Sequence, residues 1–368
     1  MHPRVERLPR REPDHGAFLR LCNRSAPAPG RLRVPLIELG IDPEIVWHLS
    51  GLDPARAARA DRVEITLRTL ALMHRLGYDV VKVAAVMPFE LPRAQARDTA
   101  ALTRGQRGWQ VQRRGLIESL EQAVAYHWPR THDVDFACVE AAARELPDGM
   151  GLLGFCGGVL EFSMDLIGME RFVLAVYDEP DLIAEVTRGV GRLIGEVFEA
   201  YCPMPEIVAL WLGDDLGSKN GVLVSPEILD RYIFPWYRRY AQIAHAHGRP
   251  FLLHSCGRVE QVMPALVDQV GIDAKHSFED AIEPVERFMD RWAGRIAVLG
   301  GVDVGLLARG GEEDVRRRVR RILGHAAGRC RYALGSGNSI ANYVRPENYL
   351  AMVETLREFG AYEAAPGV

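Results

Sequence analysis

The sequence predicts an α/β fold, a (β/α)8 TIM barrel with an N-terminal arm and a helical insertion after its second strand. Three observations predict it. Short apolar runs alternate with helical patterns from residue 31 onward. Those runs are almost continuous in apolar character, as strands buried on both faces of a parallel sheet require. Ionisable residues gather where the runs end, and barrels of this kind carry their chemistry at the C-terminal ends of their strands. The expected organisation is an arm over residues 1–30 and a single barrel domain over 31–368.

The arm is rich in Arg and Pro and closes in SAPAPG, with one short helix expected around Ala17–Cys22. Eight runs follow: RVPLIEL (33–39), YDVVKVAAV (78–86), GMGLLGFC (149–156), EIVALWLGDD (206–215), PFLLHSCG (250–257), GIDAKHSF (271–278), RIAVLGGVD (295–303) and RYALGSGN (331–338). Each is short and ends in glycine or a polar cluster, which is the signature of a strand. Helical spacing fills the intervals over 62–76, 180–200, 226–246, 313–326 and 346–359. Pro180, Pro226 and Pro346 stand at first turns, and Ser225 is the expected N-cap before Pro226. The stretch 87–148 is the expected helical insertion.

Composition excludes several classes. Apolar residues make up 48% of the 368 positions and charged residues 26%, so a large core is affordable and disorder is not expected. The net charge of −4 leaves no basic excess for a polyanion, so nucleic acid is not an expected partner. No apolar run is long enough to span a membrane. The basic N-terminus lacks the apolar stretch of a signal peptide. Six cysteines in this length read as reduced thiols in a cytoplasm rather than a disulfide framework. Only Lys82, Lys219 and Lys275 are lysines among 45 basic residues. A lysine kept against such an arginine bias is either chance or a need for a compact ammonium.

The strand ends supply the candidate site. His254 and Cys256 are two residues apart, so they share a face. A His-x-Cys pair offers two ligands that zinc accepts, while the structural alternative is a small buried thiol beside a hydrogen-bonded imidazole. Asp214 and Asp215 face opposite ways, so one carboxylate can enter the barrel as a metal ligand or base while the other caps a turn. Lys275 and His276 are read as catalytic or substrate-positioning groups at the end of the sixth run. Glu38, Lys219, Asp303 and Asn338 are candidate substrate-binding residues, with Asp303 equally suited to cap a helix. Cys156 lies at the end of its run, whereas Cys330 precedes one and is expected at the opposite face.

Several stretches together resemble the uroporphyrinogen decarboxylase superfamily, which includes cobalamin-linked methyltransferases. They are WLGDDLGSKNGVLVSPEILDRYIFPWYRRYAQIAHAHGRPFLLHSCG, then DAKHSFEDAIEPVERF, IAVLGGVD and ALGSGNSIANYVRPENYLAM. The resemblance runs from about residue 33 to 360 and implies the barrel. True uroporphyrinogen decarboxylases carry an N-terminal Arg-Gln-Ala-Gly-Arg segment, and the first run here lacks it. They also carry Gly-His-Gly where this chain has Gly337-Asn338-Ser339, and an Asp after the second strand that has no counterpart after Lys82. The superfamily's cobamide methyltransferases bind zinc through His-x-Cys and a later Cys. His254 and Cys256 match the first two, and Asn338 stands at the third. The resemblance therefore implies a zinc-assisted methyltransferase acting on a small methylated substrate, with a corrinoid on a partner protein. Asp214, Asp215, Cys156 or Glu38 would complete the metal shell. A cofactor-independent decarboxylase on a tetrapyrrole or smaller acid is the alternative. A homodimer is expected because relatives form them.

Overall fold

The computed structural model describes residues 1–24, 33–89, 91, 93–103, 105–110, 115–328 and 330–359. The SAPAPG end of the arm and the last nine residues lie outside the described residues. The strands are β1 (Val80–Ala84), β2 (Arg93–Arg97), β3 (Gln106–Gln110), β4 (Gly151–Gly157), β5 (Ile207–Gly213), β6 (Phe251–His254), β7 (Ala274–His276), β8 (Ala297–Leu299) and β9 (Tyr332–Ala333). Seven of them form one parallel sheet in the order β1-β4-β5-β6-β7-β8-β9. Each matches one of the expected runs.

The sheet is curled and open. Side chains from its two ends, Val80 on β1 and Ala333 on β9, join Leu153, Trp211, Leu252, Ala274 and Leu299 in one apolar interior. Ile37 from the first run completes that interior. The helix His15–Cys22 closes it with Phe18, Leu21 and Cys22, so the arm plugs the interior of the curled sheet rather than trailing from it. Arg331 fixes the plug by donating to the carbonyls of Leu21 and Asn23.

The first run does not become a full strand. It makes a single parallel bridge, Leu36 to Leu334, with Ile37 donating to Leu334 and Leu334 donating to Pro35. Pro35 has no N–H, so the ladder cannot extend one step further. Among the described residues no ladder joins this run to β1, and a seam is left between them. Side chains staple it instead. Arg33 pairs with buried Asp79 at one end.

At the other end stands the insertion. It contains the short helices Leu120–Ala125 and Ala137–Arg144 but opens with an antiparallel hairpin of β2 and β3, which corrects the purely helical expectation. The alternation in Arg93–Arg97 suits a strand, and the hairpin is held by polar contacts. Asn342 donates to Asp98 at 2.6 Å, Arg107 donates to Asn342 at 3.0 Å, and Arg107 pairs with Asp42 at 3.6 Å. The hairpin thus ties the end of β1 to the segments after the first run and after β9.

The expected helices form at Arg62–Leu76, Pro180–Tyr201, Glu312–Ala326 and Pro346–Glu358. The stretch 226–246 is helical but not continuous α-helix. Ser225 caps it by accepting from Ile228, and Leu229–Ile233 is then a π-turn in which Phe234 donates to Leu229. Pro235 lacks the N–H needed to continue the regular ladder, and the wider turn absorbs the defect.

Candidate functional site

The site forms where β5, β6, β7 and β9 end. Alternation along β6 and β7 sends Leu252, His254, Ala274 and His276 to the inner face. His254 is paired in register with His276, so the two imidazoles meet. Their Nδ1 atoms are 2.8 Å apart and the rings stack at 5.0 Å. Trp211 packs edge-on against His276 at 5.4 Å. Burial, then the neighbouring His276, holds His254 well below the usual imidazole range; burial pushes His276 down to about 3. Both rings are therefore neutral at neutral pH.

The other nitrogen of His254 faces two further donors. Cys256 Sγ lies 3.5 Å from His254 Nε2, and Asp215 Oδ1 lies 3.6 Å from it. The three potential ligand atoms fall within 4.8 Å of one another. Tetrahedral zinc with ordinary bond lengths places neighbouring N and S ligands about 3.5 Å apart, and N and O ligands about 3.4 Å apart. The donor set thus fits zinc with one position open. Asp215 is oriented by its own backbone partners: its Oδ1 accepts from Cys256 N–H at 2.8 Å, and its N–H donates to Glu161 at 3.2 Å. The Cys256 thiol is pushed up to about 12 by burial and by Asp215. Two donors point at its sulfur, Ser277 Oγ and Asn338 Nδ2, each at 3.3 Å.

Asn338, expected among the substrate-binding residues, thus stands beside the sulfur. Asp214 and Asp215 divide as their alternation requires. Asp214 is wholly buried and turned away from the ligand cluster, accepting from the N–H groups of Leu160 and Glu161 at 2.9 Å and from Tyr237 OH at 2.6 Å. It closes the N-terminus of the helix Val159–Ile167. Gly158 permits the approach, since a Cβ there would lie 1.9 Å from Asp214 Cγ.

The remaining expected residues do not join the cluster. Lys275 alternates away from the inner face; its ammonium donates to the carbonyls of Ser277, His276 and Ser255 at 2.7, 3.3 and 3.4 Å and lies 4.3 Å over the Phe278 ring. It clamps the strand ends that carry the site. Glu38 is buried against Ser336, accepting from its N–H and hydroxyl, and burial raises its carboxyl to about 8. Asp303 caps the helix Val304–Arg309 through Leu306 N–H and also accepts from Asp280 N–H. Lys219 is exposed. Cys156 points away from the interior toward Met87, 3.7 Å between sulfurs, and Cys330 precedes β9 as expected.

Ser277 went unmarked in the sequence reading. It is the one described non-glycine residue with positive φ, 91°, a conformation that costs on the order of 1 kcal/mol or more. The backbone turn there aims its hydroxyl at Cys256 while Lys275 holds its carbonyl. Nothing in an Ala-Lys-His-Ser string announces that turn. Lys82, by contrast, was visible as a scarce lysine inside a strand.

The uroporphyrinogen decarboxylase (URO-D) family model matches residues 115–359. A uroporphyrinogen decarboxylase of Anaeromyxobacter dehalogenans is 26% identical over 234 residues, 60% of this chain and 62% of that protein. One of Syntrophotalea carbinolica is 30% identical over 240 residues, 60% of this chain and 64% of that protein. The matched region thus spans less than two thirds of the length of these curated relatives. Among solved structures, a methyltransferase from Methanosarcina mazei superposes with a TM-score of 0.69 at 17% identity, covering 94% of this chain and 98% of its own, which shows a shared fold. With the family model matching well over half of its length, this chain belongs to the uroporphyrinogen decarboxylase family.

Proposed function

We propose that this protein is a zinc-assisted methyltransferase, moving a methyl group between a small methylated substrate and a corrinoid carried by a partner protein. One observation carries the reading. His254 Nε2 stands at the spacing of tetrahedral zinc edges from both Asp215 Oδ1 and Cys256 Sγ, so O, N and S donors converge with a fourth position left for substrate. The fold shared with the Methanosarcina mazei methyltransferase supports it. The full architecture in this reading is an eight-stranded barrel whose first strand is reduced to the Leu36 bridge, with the arm as its plug.

Zinc held there supplies Lewis acidity, lowering the pKa of a bound thiol or polarising the heteroatom of a methyl donor. The chain's own residues prepare that chemistry. The His254–His276 contact needs one Nδ1 proton between two acceptors. Were His254 Nε2 to hold the metal, His254 Nδ1 would carry the proton and donate it to His276. His276 then holds the remaining tautomer and acts as a positioning residue. Ser277 and Asn338 donate to the Cys256 sulfur and favour its anionic form. Asp214, Glu38 and Asp303 shape the frame, and Lys275 fixes the turn at Ser277.

The names of the sequence relatives favour a second reading, a cofactor-independent decarboxylase, whose activity would be indifferent to chelators. Elemental mass spectrometry decides between them. Zinc near one per chain in the wild type, lost in His254→Ala, Cys256→Ser and Asp215→Ala, is the expected result. A metal-free wild type purified anaerobically would overturn the methyltransferase reading.

A further inference from the structure

Lys82 follows Val80 by two residues on β1, so it shares the inner face of the sheet. Its Nζ lies 4.3 Å from the centroid of the Phe155 ring. Phe155 meets Trp211 edge-on at 6.0 Å, and Trp211 meets His276. Ring contacts therefore link the Lys82 ammonium, through Phe155 and the buried Trp211, to the imidazole behind the candidate metal site.

The three lysines have different surroundings. Lys275 is satisfied by three carbonyls and Lys219 is exposed. Lys82 has the ring contact and, among the described residues, neither a hydrogen bond nor an ion pair. An ammonium carries three N–H donors, and a ring face leaves most of them unanswered. Lys82 and Phe155 are only partly buried, whereas Trp211 is fully buried. Burial without a counter-ion pulls its pKa down to about 8.

We propose that Lys82 is the anion-recognition residue beside the candidate metal site: it receives a single carboxylate of the substrate, whose apolar stem lies along Phe155. The inference rests on the methyltransferase reading for the reacting end of that substrate and names its other end. A single compact ammonium with an aromatic neighbour suits a monoanion, whereas a planar guanidinium fork would suit bidentate recognition. The arginine bias of the chain makes that choice of residue informative.

The test is isothermal titration calorimetry on the zinc-loaded full chain. The probes are ω-methylthio carboxylates with one to three methylenes, each beside its primary amide. In the wild type, at least one carboxylate is expected to bind about tenfold or more tighter than its amide. Lys82→Met should abolish that preference while zinc content stays at the wild-type level, and Lys82→Arg should restore part of it. Equal binding of acids and amides by the wild type, no binding of either, or a preference that survives Lys82→Met would overturn the proposal. If Lys82→Met fails to fold, the wild-type and Lys82→Arg comparisons decide. Zinc content read beside the titration separates this failure from that of the metal reading: a wild type with zinc but no acid preference loses only Lys82, and one with the preference but no zinc loses only the metal.

Discussion

The Nδ1 atoms of His254 and His276 lie 2.8 Å apart, in register across β6 and β7, with no carboxylate between them. A neutral imidazole thus orients the imidazole that faces Cys256 and Asp215. Metal-binding histidines are commonly oriented by a carboxylate or carbonyl, and loss of such a partner costs about 10–100-fold in metal affinity. His276→Phe should weaken zinc binding by about that factor, read by competition with a chromophoric chelator. Unchanged affinity would mean that packing against Trp211 alone fixes His254.

Asn338 and Cys256 predict a gain. Asn338 stands 3.3 Å from the sulfur, so a thiolate there would be adjacent to the metal position. Asn338→Cys should slow zinc loss to a chelator and lower methyl transfer, because the open position becomes filled. Faster loss would show that the amide hydrogen bond matters more than a further ligand.

Asp214 and Asp215 should separate cleanly despite being neighbours. Asp214→Asn leaves a helix N-terminus and Tyr237 with a poorer acceptor, a loss of about 1–3 kcal/mol, with zinc retained. Asp215→Ala should retain most of the stability and lose zinc. Thermal denaturation beside metal analysis reads both. Zinc loss in Asp214→Asn at unchanged stability would contradict the assignment.

Glu38 carries a pH signature. Its carboxyl titrates near 8 in the fold, against about 4.5 for an ordinary carboxyl. Between those values the unfolded chain has released a proton that the folded chain retains, so this residue's contribution to stability falls as pH rises from about 4.5 to 8. Glu38→Gln mimics the protonated acid. It should be the more stable protein at pH 8, by on the order of 1 kcal/mol, with the difference shrinking toward pH 5. Urea midpoints at the two pH values check this, and parallel pH profiles would refute it.

Lys82 carries the opposite kind of signature. Its ammonium titrates near 8 in the fold and about 10.4 in the unfolded chain. Between those values the unfolded chain binds more protons, so this term makes stability rise with pH from about 8 to 10.4. Lys82→Met should remove that rise. A profile unchanged by the substitution would show an ammonium already paired.

The strands were legible because parallel strands buried on both faces leave unbroken apolar runs, and β5 to β9 fall inside runs read from the sequence alone. The His254–Cys256 pair and the division of Asp214 from Asp215 were legible for the related reason that alternation fixes facing. The first run misled because its apolar string contains Pro35, whose missing N–H limits it to a bridge. The hairpin at 93–110 misled because its strands are polar. The partners of Lys275 were not legible because they are backbone carbonyls, which a sequence does not display. The positive φ of Ser277 was not legible either, since no glycine marks that turn. No helix among the described residues is long and apolar enough to cross a membrane, in line with the hydropathy reading.

The bridge between Leu36 and Leu334, with Glu38 gripping Ser336, joins positions 298 residues apart. Synthesis at about 5–20 residues per second places these partners on the ribosome roughly 15–60 s apart. Throughout that interval the first run has no mate, while β1 can already pair with β4. A lone extended segment with an incomplete set of donors is a poor template for neighbouring chains, because Pro35 interrupts the row of N–H groups another strand would grip. The same proline that leaves the seam open in the folded sheet therefore shields the nascent chain while Leu334 is still to come.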